Sequence, residues 1–265
     1  MSNQEEYLAI PVASKPMNSK PMNNEERASL LGDADWGNQA NMEKILRKGF
    51  LKKVYGILSI QMLVTVGITA LFVMDDNVKT YTQNNPWVVY TSIGVYLFSA
   101  LAIICCGELR RKHPHGLILL GMVTLSLSVM VGVISTMYDT FTVMYAFIIT
   151  AGTTVGLSLY ACTTKRDFTM MGGALVAFCW IMLFSACLFW FFPPQETYQT
   201  WNIIYGSLGA FLMCLFIVYD TQLMLGGKHK YAISMDEYVF AALNLYLDII
   251  NLLLYIMRIL GGGRK

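Results

Sequence analysis

Long apolar segments alternate with short polar stretches over most of the chain, and this alternation predicts membrane-spanning helices. A helix of about 20 residues crosses the ~30 Å hydrocarbon core of a bilayer. Segments of that length recur from residue 54 onward, separated by short stretches rich in charged residues, Pro and Gly. The predicted spans are 54–74, 87–107, 116–137, 142–163, 169–192, 201–225 and 238–260. The pattern therefore predicts an all-α membrane protein, a bundle of seven transmembrane helices.

Composition agrees with this class and separates the first residues from the rest. Of the 265 residues, 55% are hydrophobic and 14% are charged, whereas soluble domains carry about 25% charged residues. Residues 1–46 are instead polar and carry three spaced prolines, which favours a disordered tail. The predicted domains are thus a cytosolic N-terminal tail, 1–46, and a transmembrane domain, 47–265.

Charges in the loops predict the orientation of the bundle. Loops on the side of the N-terminus hold most of the cations, namely Arg110, Arg111, Lys112, Lys165, Arg166, Lys228 and Lys230, whereas loops on the other side hold only Lys79. The positive-inside rule therefore places the N-terminus in the cytosol. Arg264 and Lys265 would then be non-cytosolic unless the last segment is re-entrant, and the sequence leaves both alternatives open.

Small residues recur at the spacing of helix–helix contacts. Gly152 and Gly156 form a Gly-x-x-x-Gly pattern, Ser128 and Gly132 are four residues apart, and Gly206 and Gly209 lie in the sixth span. In lipid such residues allow helices to approach closely. We expect them to pack within one bundle rather than between copies, and we expect a monomer.

Two carboxylates, Asp220 and Asp248, lie inside the last two apolar segments. A charged side chain at the centre of a membrane helix costs roughly 3 kcal/mol on insertion scales, so such residues are functional candidates. Asn244, Asp248 and Asn251 are spaced four and three residues apart, which predicts one helix face directed at the bundle axis. Between the two carboxylates, the Gly226-Gly227 stop predicts a hairpin that brings both to a similar depth.

A carboxylate pair in a low-dielectric site favours a shared proton, because both groups cannot ionise freely. Such a pair is suited to sensing pH or to binding a cation weakly. Ca²⁺ prefers six to eight oxygen ligands, so Asp220 and Asp248 predict only a weak, transient metal site of the kind that conduction requires. The alternative is structural, with Asp220 capping a loop and Asp248 neutral or paired with Arg110. Arg110 itself is either a closed-state latch on the pair or a positive-inside anchor.

Enzyme chemistry finds little support in the sequence. There is no Ser/His/Asp set, no zinc-ligand spacing and no Gly-rich phosphate loop. Membrane aspartyl proteases also use paired aspartates, and Tyr219-Asp220 matches their Tyr-Asp pattern, but Asp248 lacks the preceding glycines of their second motif. We therefore expect no enzyme, no bound cofactor and no nucleic-acid partner.

Several motifs, in order, resemble the transmembrane Bax-inhibitor-motif family, and within it the Lifeguard branch. They are Phe50-Leu-Lys-Lys-Val-Tyr-Gly-Ile-Leu-Ser, Leu109-Arg-Arg-Lys-His-Pro, Thr164-Lys-Arg-Asp-Phe-Thr, Val218-Tyr-Asp-Thr-Gln-Leu and Asn244-Leu-Tyr-Leu-Asp-Ile-Ile-Asn-Leu. The resemblance runs from about Arg47 to Gly261. It implies a seven-helix bundle whose polar last helix is central.

The resemblance also implies a function and site residues. It implies a pH-sensitive Ca²⁺ leak from intracellular stores, in Golgi, endoplasmic reticulum or endolysosomal membranes, that suppresses apoptosis. Asp220 and Asp248 match the family's di-aspartyl pH sensor, and Arg110 matches the arginine that latches the closed state, with Arg111 as the alternative position. Asn244 and Asn251 are expected to line the ion pathway.

Two other functional classes remain open from the sequence. One is a non-conducting regulator of cell death that binds other membrane proteins, such as apoptosis regulators of the Bcl-2 type or ion-store receptors. The other is a proton-coupled Ca²⁺ antiporter, which would move Ca²⁺ against its gradient. Flux through the purified protein distinguishes these classes.

Overall fold

A computed structural model describes residues 24–108, 114–191, 198–226 and 231–262. Within these ranges the chain is almost entirely helical and shows no strand. The helices are α1 (Asn24–Met74), α2 (Asp76–Asn84), α3 (Trp87–Cys105), α4 (His115–Ser135), α5 (Thr140–Thr163), α6 (Gly172–Phe191), α7 (Tyr198–Leu225) and α8 (Tyr238–Gly262). Short 3-10 turns at Phe168–Met171 and Met235–Glu237 precede α6 and α8.

The predicted membrane spans are confirmed. Every helix of the described ranges except α2 is long and apolar enough to cross a membrane, giving seven spans. The short α2 lies between the first two spans. Asp75 caps its N-terminus, because the Asp75 carboxylate accepts hydrogen bonds from the backbone N–H groups of Asn77 (2.8 Å) and Val78 (3.4 Å). The chain divides into two units, residues 1–43 and 44–265, and all seven spans belong to the second.

One part of the predicted tail differs in the structure. Residues 24–46 are the first part of α1, whereas residues 1–23 lie outside the described residues. The difference has a local cause. Residues 24–46 contain no proline and include many good helix formers, among them Glu, Ala, Leu and Met.

The last helix, α8, is the centre of the bundle. Its start is held near α1, where the Lys53 ammonium lies 3.4 Å from the ring centroid of Tyr238. Its final residue, Gly262, lies against Ile203 of α7. Most of its side chains between these points are buried. The last segment is therefore one continuous helix that runs the length of the bundle and is long enough to cross a membrane.

Close approaches at small residues hold α7 and α4 to their neighbours. A Cβ added at Gly206 would lie 2.9 Å from Ile259, and one added at Gly209 would collide with the Tyr255 ring. A Cβ added at Gly132 would lie 2.9 Å from the ring of Phe72 on α1. The expectation for Gly152 and Gly156 is wrong, because both are exposed and no described atom lies within 4 Å of an added Cβ.

A cluster of hydroxyl and amide groups, the hydroxyl cluster, joins α1, α4 and α8 on the far side of α8 from Asp248. Gln61 Nε2 donates to Thr124 Oγ1 at 2.9 Å. Thr65 Oγ1 is bonded to Ser128 Oγ at 3.0 Å and to the Tyr246 hydroxyl at 2.8 Å. All five side chains are buried. These bonds fix the rotation of α8 about its axis, because Tyr246 has to face α1 and α4.

The contact between Gly209 and Tyr255 makes a prediction about packing. Gly209→Ala should lower the unfolding free energy by about 1–3 kcal/mol, because the added methyl displaces the Tyr255 ring in a filled interface. Gly152→Ala is the matched control, since the same change there enters open space. Thermal unfolding in detergent measures both variants. Equal melting temperatures would show that the two helices do not pack as described.

The hydroxyl cluster makes a second prediction. Tyr246→Phe removes one hydroxyl and should lower the unfolding free energy by about 1 kcal/mol, within the range found for hydrogen bonds between membrane helices. Tyr145→Phe is the control, because Tyr145 is exposed on α5. Chemical unfolding in mixed micelles reports both. A loss no larger than that of the control would contradict the bond to Thr65.

Candidate functional site

The structure brings together the two carboxylates that the sequence singled out. Asp220 lies on α7 and Asp248 on α8, and their carboxyl groups lie within hydrogen-bonding reach of each other. Asp220 is 7% exposed. Asp248 is half-buried, but its Oδ2 atom is buried and has no hydrogen-bond partner among the described residues. We call these two residues the carboxyl pair.

The chemistry of the carboxyl pair follows from the closeness of its two groups. An ionised carboxylate has acceptors only, so two carboxyl groups form a hydrogen bond only when one of them carries a proton. Two ionised groups would be two like charges side by side in a low-dielectric interior, where their repulsion is strong. The pair is therefore an arrangement that can hold one proton between two helices.

Three neighbouring helices bring titratable or polar groups to the carboxyl pair. Cys179 of α6 lies close enough to Asp248 for the two to interact electrostatically, and Tyr219 of α7 interacts in the same way with Asp220. On the α1 side, the Tyr55 hydroxyl is 3.4 Å from the Thr221 hydroxyl, next to Asp220 in the chain. The pair therefore lies where α1, α6, α7 and α8 meet.

Gln222 fixes the loop between α5 and α6 to the same turn of α7. This fully buried amide accepts the Phe168 backbone N–H at 2.7 Å and donates to the Arg166 carbonyl at 2.9 Å. Sequence reasoning did not assign it a role. The available signal was an amide in an apolar helix, since such a group has to find partners when buried.

Arg47 of α1 lies at the C-terminal end of α7. The helix ends at Gly226, which has a φ of +56° and donates its N–H to the Gln222 carbonyl at 3.1 Å. Arg47 lies against this glycine and donates to the Met224 carbonyl at 3.3 Å. A cation is favoured at a helix C-terminus, where carbonyl groups lack partners.

The predicted polar stripe of α8, formed by Asn244, Asp248 and Asn251, is only partly directed into the bundle. Asn244 is half-buried like Asp248, but Asn251 is exposed, so the prediction that it faces the bundle axis is wrong. Its side-chain amide donates to the Leu247 carbonyl of the same helix at 2.9 Å. The cause is the packing of α8, whose most closely packed face is the one bearing Leu245, Tyr246 and Leu253.

At the far end of the stripe a cation is held by polar groups. The Arg258 guanidinium donates to Asn202 Oδ1 from Nε at 3.0 Å and from Nη2 at 2.6 Å, and it lies 4.7 Å from the Tyr205 ring centroid. These residues border a polar cavity of about 490 Å³, lined by Tyr138, Gln199 and Asn202 among others. Arg258 continues the spacing of Asp248 and Asn251 along α8.

Two further predictions concern the closed-state latch and the weak Ca²⁺ site. Arg110 and Arg111 fall outside them, so the predicted latch has no described position. Within the described ranges, no group of three or more His, Cys, Asp or Glu residues could hold a metal ion. A Ca²⁺ ion at the carboxyl pair would therefore have two carboxylates and neutral oxygens as ligands, fewer charged groups than high-affinity sites use.

Comparison with known proteins identifies the family. The sequence profile described as "Inhibitor of apoptosis-promoting Bax1" matches residues 47–265. Protein lifeguard 3 of Mus musculus is 36% identical over 256 residues, covering 95% of this chain and 81% of that protein. The human protein of that name is 34% identical over 257 residues, covering 95% and 80% respectively. The Golgi anti-apoptotic protein of Vaccinia virus (strain Lister) is 37% identical over 240 residues, covering 90% and 96%.

The matches cover the whole membrane domain and include both carboxylate-bearing helices. They agree with the seven spans and with the motif resemblance found in the sequence. This chain is therefore a multi-pass membrane protein that belongs to the anti-apoptotic Bax inhibitor family, and within it to the Lifeguard branch.

Proposed function

We propose that this protein is a pH-sensitive leak pathway for Ca²⁺ in an intracellular membrane, gated by the carboxyl pair, and that it suppresses apoptosis by lowering the Ca²⁺ content of the store. The observation that carries the proposal is the close approach of two carboxyl groups, Asp220 and Asp248, between two helices of a membrane bundle. Carboxyl groups are rarely placed at this depth without a role in ion or proton movement.

Gating follows from the number of protons on the pair. With one shared proton the carboxyl groups bridge α7 and α8. With none they repel each other, or they attract a divalent cation that neutralises both charges. With two protons each group is neutral and has both a donor and an acceptor, so the two can bond to each other or to other polar groups. Each occupancy therefore favours a different separation of the two helices, and Ca²⁺ competes with H⁺ for the same oxygens.

The pathway along α8 suits a passing ion better than a bound one. Asn244, half-buried one turn before Asp248, supplies neutral polar groups beside it. Arg258, at the end of the stripe, presents a positive charge that a cation has to pass or displace from Asn202. Weak ligands along the path let an ion leave, which conduction requires.

The name of one relative supports a proposal about the membrane, and the distribution of Lys and Arg supports a proposal about the orientation. One relative is called a Golgi anti-apoptotic protein, which supports a Golgi membrane for this chain. The excess of Lys and Arg at the end of the bundle that bears Arg47 and Lys165 supports a cytosolic N-terminus. In this orientation the carboxyl pair, one turn from the end of α7, responds to cytosolic pH.

A second candidate function is a non-conducting regulator that acts through protein partners. The family description refers to inhibition of an apoptosis-promoting protein, and neither it nor the names of the relatives mention ions. In this case the carboxyl pair would hold α7 to α8 as a structural contact. Partners of the Bcl-2 type and ion-store receptors fit this function. Uptake of Ca²⁺ against its gradient would distinguish an antiporter from both of these candidates.

Ca²⁺ flux into liposomes that contain the purified protein tests the proposal. Wild-type flux should change across the physiological pH range, and Asp248→Asn should remove that change, because an amide keeps the polar contact but does not titrate. Asp236→Asn is the matched control, since Asp236 is an exposed carboxylate outside the pair. Its pH response should equal that of the wild type.

The outcomes distinguish the candidate functions. No flux above empty liposomes at any pH would favour the non-conducting regulator. Flux with an unchanged pH response in Asp248→Asn would keep the channel but remove the pair as its sensor. Accumulation of Ca²⁺ against its gradient, driven by a proton gradient, would indicate an antiporter.

The predicted latch makes a separate prediction. Arg110→Ala should raise the resting leak, because the closed state would lose a cation that balances the carboxyl pair. Arg111→Ala is the control, and a larger effect there would shift the latch by one position. The same liposome assay at constant pH measures both. An unchanged leak in both variants, with normal insertion, would leave these residues as anchors.

A further inference from the structure

A groove on the outside of the bundle runs between α1 and α5. It has a volume of about 840 Å³, and Ile249 of α8 is part of its lining. Its walls are mostly apolar, with Met62 and Leu63 on α1 and Val155 on α5. Both helices cross the membrane, so the groove opens toward lipid. Its volume is within the range of roughly 300–1,000 Å³ typical of ligand sites.

Two hydroxyl groups in this groove have no partner among the described residues. Thr154 is 9% exposed, and its Oγ1 atom is buried without a hydrogen bond. The Ser158 hydroxyl, one turn along α5, is also buried without a bond, and both residues line the groove. A buried donor without an acceptor is costly, so the groove favours an occupant that carries acceptor oxygens.

Cations flank one mouth of the groove on both walls. On α1, Lys52 precedes the groove residues Tyr55 and Ser59 by three and seven residues, which places it on the same helix face. At the end of the other wall, Lys165 lies two residues beyond the end of α5, whose last turn carries the groove residue Cys162. Both lysines are exposed. One end of the apolar groove is therefore close in the chain to two positive charges, with Lys53 adjacent to the first and Arg166 adjacent to the second.

We propose that this groove binds one anionic phospholipid. Its phosphate lies between Lys52 and Lys165, and an acyl chain follows the apolar wall past Val155. Ser158 lies about 7 Å from the end of α5, so its hydroxyl reaches the level of the ester oxygens and donates to one of them. Thr154 supplies a second donor deeper in the groove. The charges select an anionic headgroup, because the ammonium of phosphatidylcholine is repelled by both lysines.

The site is independent of the carboxyl pair. Basic pockets between membrane helices bind anionic headgroups. This groove has, in addition, an apolar wall that can hold an acyl chain and two hydroxyl groups that can donate hydrogen bonds. The wall on α1 also carries Tyr55, whose hydroxyl contacts Thr221 beside Asp220. A bound lipid would therefore touch a residue of the carboxyl-pair surroundings without being part of the ion path.

Native mass spectrometry of the full chain, released from detergent, tests the proposal. The probes are dioleoyl phosphatidylglycerol and dioleoyl phosphatidylcholine, added at equal concentration. Wild type should retain one phosphatidylglycerol in preference to phosphatidylcholine. Lys52→Gln with Lys165→Gln should weaken this adduct by about fivefold for each charge removed. Lys79→Gln, at the other end of the bundle, is the control and should have no effect.

A second variant separates the groove from surface charge. Ala151→Trp fills the groove, since Ala151 lines it, and should abolish the adduct while leaving both lysines in place. Val176→Trp is the matched control, because Val176 is exposed on α6 away from the groove. Should Ala151→Trp fail to fold, Thr154→Ala with Ser158→Ala removes the donors and should still weaken the adduct.

Three outcomes would overturn the proposal. Equal retention of both lipids would show that the charges do not select the headgroup. An adduct that the lysine changes weaken but Ala151→Trp does not would show surface attraction without a groove site. A dimer that Ala151→Trp dissociates would show that a second copy of the chain, rather than a lipid, fills the groove.

Discussion

Two ionised carboxyl groups repel each other strongly in a low-dielectric interior, so a close pair needs a shared proton or a cation, and this constraint acts on the contact between α7 and α8. Asp220 and Asp248 are the acidic residues of that contact, and other groups nearby are arranged around them. Gln222 holds the α5–α6 loop to the same turn of α7, and Arg47 caps the helix end just beyond it. The surroundings are thus fixed by bonds that do not involve the pair itself.

The central helix α8 separates two kinds of polar contact. One face carries Tyr246, whose hydroxyl is bonded to Thr65 in a buried, fully packed cluster. The opposite side carries Asp248, and beyond it the stripe becomes exposed at Asn251. A helix held firmly on one face can change its contacts on the other without losing its place in the bundle. This asymmetry is what a gating element in the proposed leak pathway requires.

Much of this arrangement could be predicted from the sequence, for physical reasons. Hydrophobicity and length decide which segments cross a membrane, so the spans were predicted closely. Gly226 marked the end of α7, because a residue with positive φ there favours glycine. Helical spacing placed Asn244, Asp248 and Asn251 on one face, but spacing does not reveal which neighbour covers a face, and Asn251 is exposed. For the same reason Gly152 and Gly156 fit a packing pattern without a described helix packed against them.

The hydroxyl cluster has a consequence for how the bundle responds to its environment. Gln61, Thr65, Thr124, Ser128 and Tyr246 meet through neutral hydroxyl and amide groups, and within that cluster no bond involves a carboxylate or an ammonium. Such bonds keep their strength when acidity or ionic strength changes, whereas the contact at Asp220 does not. In the proposed leak pathway, the hydroxyl cluster would therefore be a frame whose bonds do not respond to pH, and the contact between Asp220 and Asp248 would be the element that responds. Acidification of the cell would then change that contact and leave the rest of the bundle assembled.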